Sequence, residues 1–253
     1  MNVDVVKNQL KQLRLAQACK EIDEVLATHK KAVSLTWLSD LLERELNARK
    51  ENSLKTRIKQ AGFPELTALE GFDWSFNPDI KENKIRELAT LDFVMKNEIA
   101  LFLGSPGVGK THLALAIGII AAQKGHRVFW TSCKRLAAQI TIAKQRGALD
   151  YLFKKMLSSK LWIIDDWGVV TMNREVSEEV FDLLDRRKHS TAMILTSNRD
   201  VAEWGQVFPE PVLANAAIDR MFDRAHILTF TGQSYRLKGK IKTREIDTEL
   251  NAP

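Results

Sequence analysis

Apolar residues recur at helical spacing through the first sixty positions: Val3, Val6, Leu10 and Leu13, then Ile22, Val25 and Leu26, then Leu35, Leu38, Leu41, Leu42 and Leu46. Ser34 or Thr36 stands where the last of these helices needs its cap. No strand pattern interrupts, so residues 1–65 predict a small all-helical domain, too small to bury much alone and expected to pack on itself or a partner. Gly62-Phe63-Pro64 ends the periodicity, and from Leu69 to Pro78 glycine, proline and aromatics replace it, which predicts a linker over 66–79.

Beyond residue 80 the pattern changes. A helical stretch over 80–96 is followed by short apolar runs at 99–103, 127–131, 161–166, 192–196 and 226–230. Helical segments separate them at 112–122, 134–147, 149–157, 175–188 and 212–224. Short, continuously apolar strands alternating with helices predict an α/β domain over 80–238 whose parallel sheet is covered on both faces. A charged tail, 239–253, completes the chain.

Composition narrows the class. No run approaches the roughly 18 apolar residues of a membrane helix, and the charged start Met1-Asn2-Val3-Asp4 lacks a signal-peptide core. The two cysteines, Cys19 and Cys133, lie far apart, which excludes a disulfide framework and suits a reducing compartment. A cytoplasmic chain with no membrane association is therefore expected. The net charge of +6 directs attention to a polyanionic partner. Residues 1–60 carry 12 basic side chains against 8 acidic. The charge concentrates more sharply between Lys134 and Lys160, where Lys134, Arg135, Lys144, Arg146, Lys154, Lys155 and Lys160 face one acid, Asp150. These helices present either a solvated face or a nucleic-acid contact, and in the second case one made to phosphates, since no base-reading motif accompanies them.

The chemistry begins at Gly104-Ser105-Pro106-Gly107-Val108-Gly109-Lys110-Thr111, which fits G-x-x-x-x-G-K-[ST]. A predicted strand precedes it and a predicted helix follows, the arrangement that turns backbone N–H groups around a phosphate above a helix N-terminus. A nucleoside triphosphate is the expected ligand, with Lys110 on the β- and γ-phosphates and the Thr111 hydroxyl on Mg²⁺. Leu161-Trp162-Ile163-Ile164-Asp165-Asp166 is a buried strand delivering two acids at its C-terminal end. Asp165 is suited to the Mg²⁺ shell and Asp166 to orienting or activating the attacking water, though with a shorter arm than a glutamate. Thr196-Ser197-Asn198-Arg199 closes the next strand, where Asn198 can hydrogen-bond water or γ-phosphate. Arg220 is either an ordinary surface arginine or one that reaches a neighbouring subunit's γ-phosphate, and Arg236 either a surface arginine or one that reaches that of its own subunit. The linker aromatics Trp74 and Phe76 either fill the core edge or stack near the base, and Trp74 joins the candidate nucleotide contacts.

Taken in order, the phosphate loop with His112 after it, Ile163-Ile164-Asp165-Asp166-Trp167-Gly168, Leu195-Thr196-Ser197-Asn198-Arg199, Asp219-Arg220 and Ser234-Tyr235-Arg236-Leu237-Lys238 resemble the IstB/DnaC-like AAA+ ATPases. The Phe72-Asp73-Trp74 linker and helical N-terminal domain are similar too, so the resemblance runs from about residue 5 to 240. It implies a AAA+ P-loop NTPase fold, with a central parallel sheet flanked by helices and preceded by the small helical domain. It implies ATP and Mg²⁺ held between subunits of a homo-oligomer, with His112 among the nucleotide contacts. Asn198 becomes sensor 1, Arg220 the arginine finger and Arg236 sensor 2. It also implies assemblies that grip duplex DNA, select or mark a target site, and recruit and stimulate a transposase. A loader of a replicative helicase is the alternative, and a non-hydrolysing nucleotide-gated adaptor a third.

Overall fold

The computed structural model describes residues 3–28, 34–188 and 190–238, so the charged tail over 239–253 lies outside the described residues. The chain divides into two compact units, Met1–Thr56 and Arg57–Pro253. In the first, α1 (Val3–Gln12), α2 (Ala16–Ala27) and the larger part of α3 (Thr36–Ala61) close on Val6, Leu10, Leu13, Ile22, Leu35 and Leu42. Two residues of the expected stripes stay outside this core: Val25 is 51% exposed and Leu41 56%. Each sits next to a leucine that does pack inward, Leu26 and Leu42, and adjacent helical positions point about 100° apart.

The second unit carries α4 (Glu82–Ala89), α5 (Asp92–Met95), β1 (Ile99–Gly104), α6 (Lys110–Gln123), β2 (Val128–Ser132), α7 (Cys133–Gln145), α8 (Leu149–Leu157), β3 (Leu161–Trp167), α9 (Arg174–Arg187), β4 (Ala192–Ser197), α10 (Pro211–Phe222) and β5 (Ala225–Phe230). The single helix expected over 80–96 is broken at Leu91, whose φ of 73° is left-handed. A leucine adopts that conformation at a cost of about 1–2 kcal/mol. Burial offsets the cost, because Leu91 joins Ile85 and Leu88 on one side of the break and Phe93 and Val94 on the other, all in the core. A 3-10 segment at Val201–Val207 has no counterpart in the sequence pattern. It buries Trp204, whose indole N–H donates to Ser197 Oγ at 3.2 Å.

The five strands are parallel throughout and ordered β2-β3-β4-β1-β5. α6 packs closely on the sheet at Gly118, where a Cβ would lie 2.5 Å from Ile163 Cδ1 and would push that methyl aside. This order places β4 between β1 and β3, so the C-terminal ends of all three open onto one edge of the sheet. In open α/β sheets that is where ligands bind.

Candidate functional site

At that edge β1 runs into the glycine loop, and α6 starts at Lys110 with Gly109 as its N-cap, φ 107°. No side chain caps this helix, so its first-turn N–H groups stay available to an anion. The loop is gripped from two sides. A Cβ on Gly107 would fall 2.1 Å from Ser234 Oγ, and one on Gly109 2.4 Å from the Phe72 ring. Lys110 is 5% exposed, and its ammonium donates to the carbonyls of Gly104 (2.7 Å) and Ser105 (2.6 Å). Burial pushes its pKa down to about 8, against the opposing pull of Asp166 and Asp165.

The two acids are joined through a residue whose role sequence reasoning missed. Asp165 Oδ1 accepts from Thr111 Oγ1 at 2.8 Å and from Thr196 Oγ1 at 2.5 Å, while the Thr196 hydroxyl accepts the N–H of Asp166 at 3.0 Å. The β3–β4 register shifts between Ile164 and Trp167, and Asp166 takes φ 55°. That irregularity gives the strand two consecutive carboxylates at the cleft instead of one in and one out. Asn198 Nδ2 then donates to Asp166 Oδ1 at 3.2 Å. Burial, reinforced by Asp165, raises the pKa of Asp166, partly offset by Lys110, Arg236 and Asn198.

These groups line one cleft of about 390 Å³, within the usual range for a small-ligand site. Pro106, Gly107, Val108, Gly109, Lys110, Thr111, His112, Asp165, Asp166, Asn198 and Arg236 all face it. Gly104 and Ser105 lie at the base of the loop and contribute the carbonyls that hold Lys110. His112 is fixed by a 3.2 Å contact from Nε2 to the carbonyl of Ala68. Trp74 is outside the lining, where Phe72 and Phe76 stand instead, and it packs on Phe72 at 4.6 Å between ring centroids. The cause is a turn at Asp73, whose carboxylate accepts the Ser75 N–H and hydroxyl and so brings Phe76 round to the cleft.

Arg220 does not reach this cleft. In the last turn of α10 it donates to Asp185 (2.9 Å) and Asp219 (3.1 Å). The proposed DNA-binding residues Lys134, Arg135, Lys144, Arg146, Lys154 and Lys155 are all exposed on or beside α7 and α8. Lys144, however, pairs with Glu179 of α9 at 3.2 Å, an acid that no count over 134–160 includes. Tyr151, 75% exposed, shares a helix face with Lys154 and Lys155 by its i, i+3, i+4 spacing.

The Lys110 ammonium makes nucleotide affinity depend on pH in a definite direction. A triphosphate favours the charged form, so binding is expected to weaken as pH rises through about 8, by up to tenfold per pH unit. Calorimetric titration of ATP between pH 7 and 9.5 measures this. An affinity independent of pH over that span would contradict the assignment of Lys110.

A glycine loop closing the first strand, paired acids closing the third and a sheet of this order define a AAA+ P-loop nucleotide-binding protein. Solved structures share the fold. AMPPCP-bound DnaA from Aquifex aeolicus superposes with a TM-score of 0.55 at 20% identity, covering 75% of this chain and 57% of that one. DnaI gives a TM-score of 0.55 at 21% identity, covering 65% and 91%. The sequence profile of the IstB-like ATP binding proteins matches residues 6–243, and the chain belongs to that family. Similar proteins named for ATP binding are those of insertion sequence IS21 from Pseudomonas aeruginosa and IS5376 from Geobacillus stearothermophilus. The first is 39% identical over 240 residues, 95% of this chain and 90% of the relative. The second is 34% identical over 226 residues, 89% and 90%. Among the described residues no helix is long and apolar enough to cross a membrane.

Proposed function

We propose that this chain is an ATP-hydrolysing, DNA-binding helper of transposition, which assembles on target duplex DNA with ATP at its subunit interfaces. The observation that carries the hydrolytic part is the linked series Thr111–Asp165–Thr196–Asp166–Asn198 inside the phosphate-loop cleft. It joins the group beside the triphosphate to the acid beside the attacking water. Thr111 Oγ1 and Asp165 Oδ1, 2.8 Å apart, are hard oxygen donors of the kind Mg²⁺ takes. Mg²⁺ held there would neutralise charge on the β- and γ-oxygens.

Lys110 then opposes the charge growing on the transferred phosphoryl group. Asp166, held by Asn198 and kept more basic than an ordinary carboxylate, orients the water and accepts its proton. Arg236 adds positive charge from within the subunit. Arg220 does so from the neighbouring subunit, exchanging its carboxylate partners for the γ-phosphate on assembly. Hydrolysis would reset the assembly. The exposed lysines and arginines of α7 and α8 grip DNA phosphates with little sequence preference. Insertion-sequence relatives support a transposase as the partner recruited to the marked site. The likeness to DnaC and DnaI extends to the fold, so a helicase-loading role is the second reading, to be judged by which protein co-purifies, transposase or replicative helicase.

Phosphate release in the presence and absence of duplex DNA tests the core of this reading: DNA is expected to stimulate it, and no release under either condition leaves only a nucleotide-gated adaptor. Replacing Lys154 and Lys155 together by Glu is expected to weaken binding to duplexes of unrelated sequence at least tenfold. It should also lower the slope of log affinity against log salt by about 2. Fluorescence anisotropy over a salt series reads both, and wild-type values would place DNA on another surface.

A further inference from the structure

Arg236 has little in its own element to hold it. It sits in a three-residue 3-10 turn, Tyr235–Leu237, after the last strand, and its side chain faces the cleft. The segment around it is nevertheless fastened at three points. The N–H of Tyr235 donates to the Gly107 carbonyl of the phosphate loop at 2.9 Å. Asn77, 6% exposed, reads both backbone groups of Gln233, donating from Nδ2 to its carbonyl at 3.0 Å and accepting its N–H on Oδ1 at 3.0 Å. Beyond the turn, Lys238 Nζ donates to Asp73 Oδ2 at 2.9 Å and lies 5.1 Å from the centroid of Phe76 and 4.9 Å from that of Tyr235.

The fit around Asn77 is tight. Gly232 has φ 117°, and a Cβ there would meet Asn77 Oδ1 at 2.1 Å. Phe76 and Tyr235 meet edge to face at 5.0 Å, adding an apolar contact between the same two segments. The Lys238 hydrogen bond, helped by Ser75, holds Asp73 down to a pKa of about 2. Residues 233 and 238 are thus both anchored to the stretch 73–77, and Arg236 lies between the anchors.

We propose that Asn77 and the Asp73–Lys238 pair are positioning residues for Arg236, so that the segment before the first strand sets the geometry of a phosphate-facing arginine. This rests on the hydrolytic reading of the cleft. The chemistry is that of a two-point clamp: a buried amide satisfying both backbone groups of Gln233 and an ion pair beside two rings fix the backbone from which the Arg236 side chain reaches the cleft, and pre-arranged charge is what stabilises a phosphoryl transition state. A surface role for Lys238 alone would not require its partner to lie 165 residues away beside the phosphate loop.

The test is a double-mutant cycle in the full chain. Asn77→Ala and Arg236→Ala are each expected to lower kcat about tenfold, with ATP affinity changed less than threefold, and Asn77→Ala is expected to add nothing further in the Arg236→Ala background. Asp73→Asn keeps the oxygen of the Ser75 turn but loses the ion pair, and should reproduce part of the loss. Lys238→Arg should retain activity where Lys238→Met does not. Losses that multiply, or a silent Arg236→Ala, would overturn the proposal. Trypsin supplies a readout that does not need turnover. A non-hydrolysable ATP analogue should slow cleavage after Arg236 in the wild type at least fivefold and fail to do so in Asn77→Ala. Equal protection in both overturns the clamp, whereas a wild type that binds ATP but releases no phosphate overturns the hydrolytic reading and leaves the clamp to be decided by the protease result.

Discussion

Lys110→Ala is expected to abolish ATP-dependent assembly on DNA while leaving a folded protein. The side chain is almost wholly buried and its ammonium is held by two loop carbonyls, with a pKa pushed down to about 8. Burial therefore already disfavours its charge, and removing it relieves that cost while leaving two carbonyls without a donor. The opposing changes should keep Tm within a few degrees of the wild type. The triphosphate, in contrast, loses charge-assisted hydrogen bonds worth about 1.5–3 kcal/mol each, so ATP affinity should drop on the order of 100-fold. Calorimetry with ATP, and electron microscopy with duplex DNA and a non-hydrolysable analogue, provide the two readouts. ATP-dependent oligomers on DNA formed by this variant at wild-type concentrations would remove Lys110 from the site.

Asp166→Asn should have the complementary effect, permitting assembly but blocking turnover. The replacement is nearly isosteric, and Asn tolerates the left-handed backbone that Asp166 adopts at φ 55°. Its amide oxygen can still accept from Asn198, and its N–H can still donate to Thr196. The loss is of basicity alone, so kcat should fall about 10²–10⁴-fold with ATP affinity unchanged or tighter. In the wild type, a carboxyl whose pKa is raised by burial and by Asp165 implies activity that declines as pH falls through that raised value. The Asn variant should lack this acidic limb. A normal rate of phosphate release from it would return Asp166 to a structural role.

Much of this site is legible because its parts are local. Gly107 and Gly109 take positive φ, a backbone conformation that favours glycine, so the loop needs glycine wherever the rest of the chain goes. The strands are short apolar runs because both faces of a parallel sheet are covered. Asp165 and Asp166 interrupt such a run at its end, where burying them without partners would be costly. From these features the α/β class, the phosphate loop and the paired acids follow from the sequence by itself.

The tertiary structure decided what depends on residues far apart in the chain. Parallel strands pair across long crossovers, so nothing local says that β4 lies between β1 and β3; once it does, Thr196 becomes the bridge between Asp165 and Asp166. The turn at Asp73 exchanged Trp74 for Phe76 at the cleft. The acids of α9 give Lys144 a partner, Glu179 at 3.2 Å, that a count over 134–160 leaves out. Asn77 found its partner 156 residues later, a contact to which periodicity and motif spacing are blind. Short-range sterics and burial specify the elements and the loop that holds phosphate; pairing across the sheet and the closing of distant segments specify which side chains meet there.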